Sequence, residues 1–249
     1  MSSLAALAPI LHHTPVATPA QALTTMVLIE QALAPAASAP ADGIAWFNRL
    51  YMKVAQSVID AVEGGTFQHP PYIAKLDVTF ANYYFAALLA FLEDTAAVPR
   101  SWWPVFSGRE RADVAPIQFA FAGMNAHINR DLPAALAALW LDSSSSLPPR
   151  EAQKQDYARM NGLLARVEAE VKTWFLTGKW QRLDAAFHGA DDIIASFSIA
   201  EARQAAWIQG DVLVALGGIG AALGASYLEA LDGVVGLAGR GLLTATRRD

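Results

Sequence analysis

The chain has 249 residues, no cysteine, a formal net charge of −5, 54% apolar residues and only 16% charged ones. Without thiols there is no disulfide framework and no Cys-ligated zinc or iron–sulfur centre. So apolar a composition is the opposite of a disordered one. The acidic balance, with Lys and Arg scattered, lacks the basic footprint of a phosphate-backbone binder, so no nucleic-acid partner is expected.

Apolar residues recur at helical spacing along most of the chain, and no run of period two bounded by turn residues stands out. The segment MSSLAALAPIL lacks the charged start of a secretory signal. With His12, His13, Pro15 and Pro19 following, residues 1–17 read as a flexible arm with solvated histidines. A first helix begins after Thr18, with Pro19 in the favoured first position, and runs to about Leu33. After an Ala/Pro/Ser linker over 34–41, Asp42 caps a second helix that ends at Gly64 and Gly65. A third spans about Tyr72 to Asp94. The segment around Ser101, Trp102 and Trp103 leads into a long apolar helix, Val114 to Trp140, where Pro133 predicts a kink. The linker 143–149 precedes a charged helix from Arg150 to Phe175. Then come Trp180 to Phe197, a capping box of Ser198 and Glu201, and a Gly-rich helical region to about Leu243.

Val212 to Leu228 carries no charge and sits at the lower length limit for a membrane span, with Gly220 and Gly224 as a small-residue pair. Glu229 and Asp232 lie just beyond it, and no Lys or Arg flanks it. We therefore expect a buried central helix, no membrane span and a cytoplasmic protein. The predicted fold is all-α: a single-domain multi-helix bundle over residues 18–249 with a buried, apolar, Gly/Ala-rich C-terminal helix.

In helices this apolar, a charged side chain on a core-facing stripe needs a reason, because an unpaired buried charge costs several kcal/mol. Asp77 shares a stripe with Ile73, Phe80, Ala81, Tyr84 and Leu88. In GMNAHINRDLPAAL, His127 and Asp131 are i,i+4 neighbours, and Asn125 and Asn129 form a second such pair on nearly the opposite face. The His–Asp spacing recurs in FHGADDIIASFS as His188 and Asp192, with Asp184 and Asp191 nearby. A His and an Asp one turn apart can share a metal, or the carboxylate can orient the imidazole as a general base. Asp77, His127, Asp131, His188 and Asp192 are together the ligands an interhelical site for a divalent metal needs, with Zn, Mn, Fe or Mg all accepting such a mixture. His69, in a loop, is a further ligand of lower standing. Arg130 and Arg203 could hold an anionic substrate group, and Arg203 is also the first partner to consider for a buried Asp, near Trp207 on the same face. Asn125, Asn129, Tyr84, Trp103 and Trp207 are substrate-binding candidates. The glycines at 217–224 follow no strand and precede no phosphate-loop Lys, so no nucleotide cofactor is expected.

Asp77 followed by FANYY, then GMNAHINRDL and a late ARQAAW together resemble a widespread bacterial family known as a domain of unknown function, over about residues 45–210. That resemblance implies no established activity. His127, Asp131 and Pro133 are also similar to the HxxxD stretch of helical zinc-dependent phospholipase C and P1 nucleases, although the further His of those enzymes is absent here. Asp192 and Ser196 are similar to the Mg-binding helix of class I terpene cyclases, with the Glu at 201 instead of 200.

Three functions follow as expectations. The first is a metal-dependent enzyme of hydrolase type, in which a metal-activated water attacks an apolar or anionic small molecule. The second is a cyclase using Mg and a diphosphate substrate. The third is a non-catalytic helical module that binds a lipid-like ligand or a partner, a second copy of the chain included.

Overall fold

The computed structural model describes residues 3–34, 42–144, 146–176 and 198–245. Every regular element among them is helical, so the protein is all-α. In chain order these are α1 (Ala8–Leu11), α2 (Pro19–Ala32), α3 (Gly43–Glu63), α4 (Pro70–Glu93), α5 (Trp103–Gly108), α6 (Pro116–Ala126), a π-helical turn (His127–Asp131), α7 (Leu132–Leu141), α8 (Arg150–Leu176), α9 (Ile199–Ile219) and α10 (Ala221–Leu242).

The helix starts follow local chemistry. Thr18 and Gln21 cap α2 reciprocally, Thr18 Oγ1 accepting from the Gln21 N–H at 3.2 Å and Gln21 Oε1 from the Thr18 N–H at 3.1 Å. Asp42 Oδ1 accepts from the Ile44 N–H at 2.9 Å at the head of α3, and Ser198 Oγ accepts from the Glu201 N–H at 3.3 Å at the head of α9. For α4 the acceptor comes from another helix: Asp156 of α8 takes the Gln68 and His69 N–H groups at 2.9 and 2.7 Å. Burial pushes the Asp156 carboxyl up, but these bonds and those from Arg159 and His69 hold it below the usual carboxylate range.

The long helix expected over 114–140 is three pieces. Pro133 has no N–H to give the Asn129 carbonyl, and its ring crowds that turn. The helix responds one turn earlier by widening: the Leu132 N–H reaches back to the His127 carbonyl, five residues away. The predicted kink is thus a π turn, and it holds His127 and Asp131.

Two expectations about the chain ends are corrected. Residues 3–17 do not behave as a solvated arm. Leu7 and Leu11 are fully buried against α2 and α4, Val16 and Asn82 exchange two hydrogen bonds of 2.8 and 3.0 Å, and His12 Nε2 lies 2.5 Å from Glu93 Oε1. The short apolar run packs because its leucines return to one side at helical spacing. At the other end, 212–228 is not one buried helix. The chain turns at Gly220, and α9 and α10 pack side by side, with the Gly224 Cα facing the Gly217 backbone so closely that a Cβ would touch it at 3.4 Å. Inner positions such as Leu213, Val235 and Gly236 are buried, whereas Ile219, Leu223, Val234 and Leu237 are exposed. Among the described residues α10 is the one helix long and apolar enough to cross a membrane.

One continuous cluster of buried apolar side chains runs from Leu7 to Leu243. Within it, α3, α4, α6, the π turn and α7, α8 and α9 surround a cavity.

Candidate active site

The cavity offers about 70 Å³ to the centre of a water-sized sphere, several times the roughly 10–15 Å³ that one water needs. Most of its wall is apolar, from residues such as Leu50, Val54, Ile73, Met124 and Leu164. Four polar side chains interrupt it: Tyr51 from α3, Asp77 from α4, His127 from the π turn and Arg203 from α9. This is the composition expected of a small-molecule site, an apolar enclosure with few, placed polar groups.

His127 is 3% exposed and its ring is fixed on every side. Phe80 stacks on it at 3.5 Å between centroids and 7° between planes, and Tyr51 meets it edge-on at 4.5 Å. Phe47 approaches from α3 at 5.7 Å. It can stand there because position 123 is glycine, where any Cβ would lie 2.4 Å from the Phe47 ring. The Nδ1 atom is 3.1 Å from Asp131 Oδ2. Asp131 has no exposed surface and collects two more donors, the Trp102 indole N–H at 2.9 Å on Oδ2 and Arg130 Nη1 at 2.9 Å on Oδ1. An ionised carboxylate can only accept, so Nδ1 carries the proton and Nε2 presents its lone pair. Nε2 is buried and has no hydrogen-bond partner among the described residues. Burial lowers the His127 pKa, and the hydrogen bond and charge of Asp131 offset part of that fall. The ring is therefore neutral at pH 7, and His127 is one of the residues of the cavity wall.

Asp77 has no ion-pair or hydrogen-bond partner among the described residues, and burial alone pushes its carboxyl up to about 7. The Tyr51 hydroxyl, also buried and unpartnered, is raised well above the usual tyrosine range by burial and then by the nearby charge of Asp77.

The structure divides the sequence candidates. His127, Asp77 and Arg203 line the cavity, and Asp131 stands directly behind His127 with both oxygens engaged, away from the metal-ligand role. Arg130 pairs with Asp131 and lies 3.6 Å from Asp232 of α10, so it is not aimed at a substrate. Asn125 faces α10, where its Nδ2 donates to the Val235 carbonyl at 3.0 Å, and its Oδ1 accepts from Asn129 Nδ2 at 3.0 Å. Tyr84 is buried among Phe47, Phe85 and Trp102, outside the cavity wall. Trp103 is 41% exposed beside Phe91. Trp207 packs with Trp140 and Tyr157, and Arg203 lies over Tyr157 at 4.0 Å instead of over Trp207. Among the described residues Arg203 pairs with no Asp: its partners are Asn161 and the Tyr157 carbonyl. His69 is held by Asp156. His188 and Asp192, with Asp184 and Asp191, lie outside the described residues, and among the described residues no three His, Asp or Glu side chains cluster as metal ligands.

Tyr51 and Phe47 were not singled out by sequence. Tyr51 and Phe47 differ by four positions on α3 and so share the stripe facing the cavity, a signal that any core helix also gives.

Residues 20–245 match the sequence model of DUF5995, a family of unknown function. The chain belongs to DUF5995. The match extends beyond the 45–210 of the resemblance to take in α2 and α10. No protein of curated description and no solved structure matches this DUF5995 chain.

Proposed function

We propose that this DUF5995 protein is an enzyme that moves protons on a small, largely apolar molecule held in the cavity. His127 acts as general base and Asp77 as proton donor. The observation that carries the reading is the unpartnered Nε2 of His127, fully buried on the cavity wall while Nδ1 is committed to Asp131. A buried acceptor left without a partner costs about 1–3 kcal/mol, and a substrate proton would meet that need. Nε2 takes the proton, Asp131 stabilises the imidazolium that forms, and the protonated Asp77 returns a proton elsewhere on the substrate; net charge is conserved, and loss of the imidazolium proton with reprotonation of Asp77 after product release restores the starting state. Environments that push the acid's pKa up and the base's down, so that one carries a proton and the other a lone pair near neutral pH, support such a division of roles.

The test uses 5-nitrobenzisoxazole, whose ring opens when one base removes one proton in an apolar enclosure. The wild-type protein should accelerate opening, and His127→Gln should lose roughly 10²–10⁴-fold of that acceleration with its melting temperature little changed. Equal rates in the two proteins would sink the reading.

A divalent metal is the second reading. His127 and Asp77 both line the cavity without a described partner for Nε2 or for the carboxyl, and imidazole with carboxylate suits Zn, Mn, Fe or Mg. Metal analysis of untagged protein, with and without added ions, tests it. Less than a tenth of an equivalent bound in every case would remove it.

A further inference from the structure

Arg203 is a buried cation without an ionic partner among the described residues. It is 6% exposed and lines the cavity. Nε donates to Asn161 Oδ1 at 2.9 Å, Nη2 donates to the Tyr157 carbonyl at 3.1 Å, and the guanidinium lies 4.0 Å over the Tyr157 ring. All three partners are neutral. The other arginines of low exposure are treated differently: Arg109 meets Asp42 and Glu110, and Arg130 meets Asp131 and Asp232. No carboxylate among the described residues comes within ion-pair distance of Arg203.

Asp77, the acidic residue of the same wall, does not neutralise it. Burial alone sets the Asp77 carboxyl, with no contribution from Arg203. Two of the five guanidinium N–H groups are used, and the fork geometry of the rest matches a planar, two-oxygen anion. Arg203, the one arginine or lysine among the described residues of a mostly apolar wall, suits one negative charge on a small head group. A phosphate, with up to two charges and three acceptor oxygens, would need more donors than the wall provides.

We propose that the cavity binds a small apolar monocarboxylate, its carboxylate on the free N–H groups of Arg203 and its apolar body extending along the wall toward His127. The inference rests on the reading that this cavity is the active site, and it adds the substrate class. Arg203 binds and orients the acid end, which leaves the carbon skeleton to Nε2 of His127.

The test compares 3-phenylpropionate with 3-phenyl-1-propanol, the same skeleton without the charge, by titration calorimetry on the full chain. The wild type should bind the acid at least tenfold more tightly than the alcohol. In Arg203→Met the acid should lose that advantage while the alcohol still binds. Equal affinities in the wild type, no binding of the acid at millimolar concentration, or a preference that survives Arg203→Met would each overturn the proposal. Should Arg203→Met fail to fold, nitrogen-15 spectra of the wild type decide, because the acid and not the alcohol should shift the Arg203 Nε–H resonance. Failure of the general-base reading shows separately. His127→Gln should keep the preference for the acid, so a protein that binds the acid through Arg203 but opens no benzisoxazole refutes the chemistry and leaves the ligand class standing.

Discussion

The segment from Gly123 to Leu136 carries two polar pairs at the same i,i+4 spacing, and their fates differ. Asn125 and Asn129 satisfy each other and the α10 backbone: every polar atom of the Asn125 side chain has a partner, and the pair fastens α10 to α6. His127 and Asp131 also bond to each other, but only the Asp131 end is closed, by Trp102 and Arg130. The His127 end faces the cavity with Nε2 unpartnered. Spacing brings two side chains together, whereas an atom left without a partner in a cavity indicates what the pair is for. Mutations that touch the open pair should alter chemistry, and those that touch the closed pair should alter stability alone.

The largest loss of stability is expected from Asp131→Ala. It deprives Trp102, His127 and Arg130 of a common acceptor and leaves Arg130 with only the longer contact to Asp232. Removing one member of a buried ionic network costs about 3–5 kcal/mol, readable by urea denaturation. Benzisoxazole opening should fall as well, because the His127 tautomer is no longer fixed. If Asp131→Ala kept full activity, the open pair would be no more functional than the closed one.

Asp77 gives a pH-dependent effect. Its folded pKa of about 7 lies above the ordinary 3.8, so the folded state holds this proton more tightly than the unfolded state does. Its contribution to stability is fully present below about pH 4 and is lost as pH rises through 7. Measured as the difference between wild type and Asp77→Asn, stability should fall by roughly 4 kcal/mol between pH 4 and pH 8. Taking this difference cancels His127, whose lowered pKa acts in the opposite sense, reducing stability as pH falls below its ordinary value of 6.5. A flat difference in paired urea titrations would show that Asp77 is solvated or paired.

The two pairs also mark how far sequence reaches. Asp77, His127 and Arg203 were legible because a charge on an apolar helical stripe is conspicuous, and the helix starts at Thr18, Asp42 and Ser198 were legible because capping is local. What joins distant segments was not. Asp232 accepts the Arg100 and Ser101 N–H groups at 2.6 and 3.1 Å, more than a hundred residues away, and nothing in either segment announces the other. Trp103 drew attention although the indole on Asp131 belongs to Trp102, because adjacent helical residues point in different directions. Apolar content could not tell which side of 212–228 packs. Leu223 and Leu213 are chemically alike, but Leu223 is half exposed and Leu213 is buried.

The closed pair supplies the smaller effects. Asn125→Ala leaves the buried Val235 carbonyl without its side-chain donor and should cost about 1–3 kcal/mol, with benzisoxazole opening unchanged. Asn129 is less buried, and water can replace its bond to Asn125 Oδ1. Asn129→Ala should therefore cost only about 0.5 kcal/mol. Because the described contact of Asn129 runs through Asn125, the two changes should not add: the double variant should be no less stable than Asn125→Ala, a coupling of about 0.5 kcal/mol. Full additivity in denaturant titrations would mean that Asn129 fastens the helix by a contact of its own. A change in turnover from either variant would mean that the closed side of this segment also reaches the cavity.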